Sequence, residues 1–258
     1  MSVFSKTVFV ESAAEIERLP ADGGREVAFV GRSNAGKSST INALTGIGRL
    51  AFVSKQPGRT QLINLFEVTP GHRIVDLPGY GYAKVAKDIK RDWGILLERY
   101  LQERQELAAL VVIMDIRHPL TPLDVRLIEW IAPRGLPLHV VLSKSDKLTR
   151  QQQAQVVREV SDALAPLAPL PVTVQSLSSP KRLGLDTLAS TVAGFLGIEA
   201  KAPVSSSELR EARGPAPAAP SKRAHRQAAK RTGKNAAPRA ATPAAKRPAK
   251  KASPARRG

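Results

Sequence analysis

The densest chemistry in this chain lies in Gly31-Arg32-Ser33-Asn34-Ala35-Gly36-Lys37-Ser38, followed by Ser39. The run fits G-x-x-x-x-G-K-[ST], a pattern that binds phosphate when it follows a strand and opens a helix. Glycines let the backbone wrap closely enough for consecutive N–H groups to face phosphate oxygens, and the helix N-terminus adds partial positive charge. Lys37 can reach the β- and γ-phosphates, and the Ser38 hydroxyl can bind Mg²⁺. A second signal is Asp76-Leu77-Pro78-Gly79. A carboxylate ending a strand beside the phosphate loop can hold Mg²⁺ through water, and the Gly79 N–H can meet a γ-phosphate.

The third signal, Ser143-Lys144-Ser145-Asp146, concerns the base. An Asp placed here accepts two hydrogen bonds from guanine, at N1–H and the exocyclic amine. Adenine presents an acceptor at N1 and no amine at C2, so it leaves the carboxylate unpaired. Such a mismatch rejects the wrong ligand on the order of 10⁴-fold. The Lys144 stem can lie along the base plane. A fourth, less specific signal is Gln175-Ser176-Leu177-Ser178-Ser179, where backbone N–H groups around Leu177, Ser178 and Ser179 can face guanine O6.

These residues need a scaffold that brings loops to one edge of a sheet. Apolar runs predict strands over 26–30, 62–68, 72–77, 107–116, 138–142 and 172–175, and helical spacing predicts helices over 37–44, 88–105, 122–131, 150–164 and 185–196. The near-continuous run Leu107–Ile116 reads as a central strand covered on both faces. The alternation predicts a three-layer α/β domain with a mostly parallel sheet of about six strands. Trp93 and Trp130 fall at apolar helical positions and read as core, and His118 as shaping a loop.

Composition narrows the class. The 258 residues carry 40 Lys+Arg against 22 Asp+Glu, a net charge of +18, and no Cys, which removes disulfides and thiolate metal sites. No apolar run reaches the ~18 residues of a spanning helix, and the first residues do not read as a secretory signal, so the expectation is a cytoplasmic protein without membrane insertion. Residues 201–258 hold 16 of the cations and only 2 acids, and from Arg213 onward no Val, Ile, Leu, Met, Phe, Trp or Tyr occurs. Such a stretch has almost nothing to bury and reads as disordered in isolation. The division expected is 1–24 as a strand/helix extension packed on the nucleotide domain, 25–198 as that domain, and 199–258 as a basic tail.

The order of the four signals resembles the translation-factor-related P-loop GTPases. With Asn34 inside the loop, Pro57-Gly58-Arg59-Thr60-Gln61-Leu62-Ile63-Asn64, Asp76-Leu77-Pro78-Gly79-Tyr80-Gly81-Tyr82-Ala83-Lys84, Met114-Asp115-Ile116-Arg117-His118 and the Trp130 helix, the chain is similar to the EngB (YihA/YsxC) family over roughly residues 5–198. The resemblance implies a cytoplasmic protein binding GTP and GDP with Mg²⁺, needed for large ribosomal subunit assembly and linked to division and septation. It makes Thr60 the switch threonine, completing the Mg²⁺ shell with Ser38, and places Gly58, Arg59, Gln61 and Leu62 beside it in the nucleotide site. Lys37, Thr60 and Gly79 then carry catalysis. Ser143 stands where the family usually has Thr.

Ras-like enzymes orient the attacking water with a Gln directly after Asp-x-x-Gly. Tyr80 occupies that position here, which predicts slow intrinsic hydrolysis, with GTP acting mainly as a conformational state. Asn34 matches a loop position that helps coordinate K⁺ in potassium-activated relatives; the plainer reading is a hydrogen bond within the loop. Tyr80, Tyr82 and Lys84 form a candidate state-dependent RNA surface. The tail's cations favour salt-sensitive, sequence-independent RNA binding, without aromatics to stack on bases. The partners expected are a large-subunit precursor and its rRNA, the protein itself being a monomer. Two other classes stay open: a basic nucleic-acid-binding protein whose nucleotide domain is secondary, and an ATP-driven enzyme.

Overall fold

The computed structural model describes residues 2–51, 62–81, 87–166 and 172–199, with the backbone alone over 87–93. Seven strands form one sheet in the order β1-β3-β4-β2-β5-β6-β7. They are β1 (Val8–Ala13), β2 (Arg25–Gly31), β3 (Ile63–Thr69), β4 (His72–Asp76), β5 (Leu107–Asp115), β6 (Leu138–Ser143) and β7 (Val172–Ser176). Strands β4, β2, β5, β6 and β7 run parallel, while β3 is antiparallel to β4 and β1 antiparallel to β3. The sheet thus has one strand more than expected. The seventh, β1, comes from the N-terminal extension, whose remaining ordered turns are 3-10 segments at Val3–Lys6 and Ile16–Arg18 and not an α-helix.

Five α-helices alternate with the strands: α1 (Lys37–Thr45), α2 (Lys87–Glu103), α3 (Pro122–Ile131), α4 (Arg150–Leu164) and α5 (Leu185–Leu196). Every residue of β2 after Arg25 is buried, as are seven of the nine residues of β5, which is why these strands read as apolar runs in place of alternating ones. The sheet divides the core in two. One layer packs Leu97, Tyr100, Ile128 and Val160 against one face, and the other packs Ile41, Leu44, Leu188 and Val192 against the opposite face. Trp130 lies partly buried against the first layer, in keeping with a core role.

Parallel strands leave all their C-terminal ends on one edge, and ligands bind in open α/β sheets along that edge. The loops after β2, β4, β5, β6 and β7 gather there. Gly31 belongs at the end of β2 because the neighbouring strand is too close for a side chain: a Cβ would stand 2.5 Å from the Ile113 carbonyl oxygen.

Candidate functional site

The loop 31–36 leaves β2 and enters α1 through Asn34 and Gly36, both with positive φ (66° and 102°). That backbone reverses direction so that the first-turn amides of α1, which have no intrahelical acceptor, face the sheet edge. The half-buried Ser38 and Ser39 follow on the first turn. Lys37 is buried and its ammonium pairs with Oδ1 of Asp76, whose carboxylate is almost wholly enclosed at the end of β4. Phosphate loop and Asp-x-x-Gly are therefore joined directly, as their spacing requires.

Gly79 packs onto the same loop. A Cβ there would lie 3.3 Å from the Gly31 carbonyl oxygen and from the amide nitrogen and hydroxyl of Ser33. Tyr80 extends β4 past Asp76: its N–H donates to the Gly31 carbonyl (3.2 Å) and its carbonyl accepts from the Ser33 N–H (3.0 Å). The Ser33 amide is thus spent inside the protein. Leu77 is fully buried and gives its N–H to the Phe29 carbonyl (3.0 Å), so it seats the Asp76–Gly79 turn in the core, where contact with a nucleotide was expected.

On the base side, Lys144 stands in the left-handed region (φ 58°) and reaches back across the loop. Its ammonium donates to the Asn34 carbonyl (2.7 Å) and pairs with Asp115 Oδ2 (3.0 Å). Asp115 is gripped in turn by the Arg117 guanidinium through Nε (2.9 Å) and Nη2 (2.6 Å), and that pair, followed by Lys144, holds its carboxyl well below the usual range. Ser143 donates its hydroxyl to the Ala35 carbonyl, so the residue that departs from the family pattern still braces the loop. Ser145 is buried and donates its N–H to the Leu177 carbonyl (3.0 Å).

Asp146 Oδ1 accepts from the Ser178 hydroxyl (2.7 Å) and Oδ2 lies 3.4 Å from Lys147. Those two contacts, Ser178 first, lower its pKa below the usual carboxylate value. The loop after β7 differs from the expectation. Leu177 N–H donates to Leu142 (2.8 Å) and Ser178 N–H to Leu183 (3.0 Å), so neither amide faces a base. Ser178 acts through its hydroxyl. Of the three residues, Ser179 alone donates its N–H to no described residue.

Several expected residues lie outside the described residues: Gly58, Arg59, Thr60 and Gln61, then Tyr82 and Lys84, the Trp93 side chain, and the tail from residue 200. Leu62 is described, and is partly exposed ahead of β3. Tyr80 does not belong to an exposed RNA-contacting surface. Its ring is buried and its hydroxyl donates to Asp124 Oδ1 (2.6 Å), with burial, then Asp124, pushing its pKa up. Asp115 and Arg117 entered the sequence reading only as part of a family motif, without a role, and Asp124 not at all, although Thr121-x-x-Asp124 before an apolar helix was a visible signal. His118 is exposed and lines a cavity of about 190 Å³ with Asn34, Asp115 and Lys144.

Among the described residues no group of three or more His, Cys, Asp or Glu is placed to hold a metal. Mg²⁺ on a triphosphate needs no such cluster, since it takes one or two protein oxygens and fills its shell with phosphate and water. Ser38 and the Asp76 carboxylate are the described oxygens that fit. No described helix is long and apolar enough to cross a membrane.

A family model described as a 50S ribosome-binding GTPase matches residues 26–144. A probable GTP-binding protein EngB of Aromatoleum aromaticum is 52% identical over 198 residues, covering 77% of this chain and 91% of the relative. Its counterpart in Thiobacillus denitrificans is 53% identical over 198 residues, covering 77% and 95%. Among solved structures, a probable GTP-binding protein engB superposes with a TM-score of 0.54 at 22% identity, covering 67% of this chain and 98% of that one. Era bound to MgGDPNP and 16S ribosomal RNA gives 0.54 at 21%, covering 72% and 60%. The two superpositions establish the P-loop GTPase fold, and the sequence identities go further: this chain belongs to the EngB family of GTP-binding proteins.

Proposed function

We propose that the protein is a slow GTP-driven switch in the cytoplasm that acts on precursors of the large ribosomal subunit. The observation that carries this reading is the placement of Gly79 against Gly31 and Ser33, while the Ser178 hydroxyl fixes the Asp146 carboxylate on the base side. A third phosphate is then read by a segment that continues directly into residues 80–90. The name of the family model and the identity to EngB proteins support the ribosomal target. A link to division and septation belongs to the same proposal.

The chain's own residues account for binding and for slowness. Lys37 exchanges Asp76 for phosphate oxygens, and Asp146 selects guanine. Ser38, with Asp76 through water and Thr60, would hold Mg²⁺, which supplies charge neutralisation on the phosphates. Tyr80 commits its hydroxyl to Asp124, so the position that orients water in Ras-like enzymes offers no group for that task. Intrinsic turnover below about 1 s⁻¹ follows. Asn34 is exposed in the loop, a place from which it can serve K⁺. The basic tail supplies attraction to rRNA without specificity.

The test is the affinity of the monomeric full chain for purified large-subunit precursors with GDP or with a non-hydrolysable GTP analogue, at fixed salt. At least a tenfold preference for the analogue state, about 1.4 kcal/mol, is expected. Equal affinity in both states would favour a basic RNA-binding protein whose nucleotide domain is secondary.

A further inference from the structure

The Gly79–Tyr80 segment is tied at two ends. Its backbone is hydrogen-bonded to the phosphate loop on both sides of Arg32, through Gly31 and Ser33. Its side chain runs in the opposite direction, through the first core layer, to a carboxylate on α3. That carboxylate, Asp124, is 1% exposed and does two things with its two oxygens. Oδ2 accepts from the N–H (2.8 Å) and hydroxyl (2.6 Å) of Thr121, closing the first turn of α3. Oδ1 accepts from Tyr80.

A side chain needed only to start a helix has no use for a tyrosine hydroxyl 44 residues earlier in the chain. The capping bonds fix Asp124 rigidly, and Pro122 in the first turn stiffens the same segment. A hydrogen bond to a buried carboxylate is among the stronger side-chain contacts. The chain also has little room beyond it: Gly81 has φ 82°, and a Cβ there would stand 2.9 Å from Leu123 of α3. Among the described residues, nothing accepts the Gly79 N–H.

We propose that Asp124, acting through Tyr80, is a positioning residue for the triphosphate: it holds the Gly79 N–H against the phosphate loop where the γ-phosphate arrives. This rests on the GTP-switch reading above. The side-chain contact is aimed at the γ-phosphate: the Tyr80 hydroxyl bonds Asp124 and touches neither Lys37 nor Asp146, while the Tyr80 backbone bonds to the phosphate loop do not depend on that hydroxyl. Its removal therefore separates GTP from GDP, which a general loss of packing does not do.

The experiment uses the full chain with Mg²⁺ and measures equilibrium affinity for GDP and for a non-hydrolysable GTP analogue, alongside the melting temperature. Tyr80→Phe keeps the buried ring and deletes the hydroxyl. The analogue affinity should fall about tenfold while GDP affinity stays the same, as expected for a lost hydrogen bond to a charged group. Asp124→Asn, which keeps an oxygen for the helix cap, should fall in the same direction. The double variant should be no worse than the weaker single one, because both delete one contact. An analogue affinity that is unchanged or raised in Tyr80→Phe overturns the proposal. So does an equal loss for both nucleotides, which would mark the contact as structural. A wild-type chain that binds neither nucleotide overturns the GTP reading itself, whereas a wild type that binds both with unaffected variants overturns the positioning role alone.

Discussion

Two buried ion pairs stand at opposite ends of the parallel strands. At the start of β2, Glu26 is fully enclosed and accepts from the Tyr100 hydroxyl (2.8 Å) and from Nε (3.0 Å) and Nη2 (2.6 Å) of Arg104. Arg104 also reaches Glu106 (3.2 Å) and the Pro20 carbonyl. At the other end Lys37 and Asp76 meet through one contact. The first pair is closed: each polar atom has a protein partner, and it locks the end of α2 to the bottom of the sheet. The second is open. Its lysine and carboxylate neutralise each other but keep donors and lone pairs to spare, so a phosphate and a hydrated cation can take each over. The same chemistry is structural where satisfied from within and functional where it is not.

Substitutions at the two ends should therefore fail in different ways. The largest effect is expected at the nucleotide end, on ligand choice. Asp146→Asn should lower affinity for guanosine nucleotides on the order of 10⁴-fold and restore binding to xanthosine nucleotides. Calorimetric titration with both series checks this, and an unchanged preference would remove Asp146 from base recognition. Its melting temperature should move little, because the carboxylate has one serine and one lysine as partners and Asn keeps an oxygen for the Ser178 hydroxyl.

At the closed end the signature reverses. Glu26→Gln leaves Arg104 without its principal counter-charge and should cost about 3–5 kcal/mol of stability in urea unfolding. Nucleotide affinity of the protein that remains folded should not change. A variant that lost GDP binding while keeping its stability would break the contrast between the two pairs.

The smallest effect concerns pH. His139 on β6 is buried between the Thr173 hydroxyl (2.7 Å) and Gln175 Oε1 (3.0 Å), and burial lowers its pKa from the usual 6.5. The unfolded chain takes up a proton near pH 6.5 that the folded imidazole refuses. Stability is therefore complete above that pH and declines as pH falls from it toward the folded value, by at most about 1.4 kcal/mol per pH unit. Asp115 and Asp146, held low by their partners, do not contribute in this window, since above about pH 5 they are ionised folded or unfolded. Comparing melting temperatures of wild type and His139→Gln between pH 7 and pH 5 isolates the term, and parallel curves would refute it.

What could be read in advance was what short stretches decide. Gly31–Ser38 states its own loop, because glycine spacing, a lysine and a following helix are local requirements. The runs over β2 and β5 state that they are central strands, because burial on both faces leaves no polar alternation. A strand was expected in the N-terminal extension, but not that it joins the main sheet, because Val8, Phe9 and Val10 are all exposed and β1 pairs through β3.

Partners distant in sequence were not legible. Thr121-x-x-Asp124 announces the start of α3, but only the folded chain shows that the second carboxylate oxygen serves Tyr80. Ser178 looked like a backbone contact to guanine and proved to be a side-chain support for Asp146, a choice made by where the β7 loop lands. Asp115 acquires its role only when β5 and β6 lie side by side and Lys144 turns back over the loop. The sequence by itself determined which groups the phosphate loop, Asp-x-x-Gly and Ser-Lys-x-Asp segments bring to the sheet edge, since those are set by spacing within a motif. Tertiary structure decided what holds those groups still, because such contacts come from the packing of strands and helices that no local pattern records.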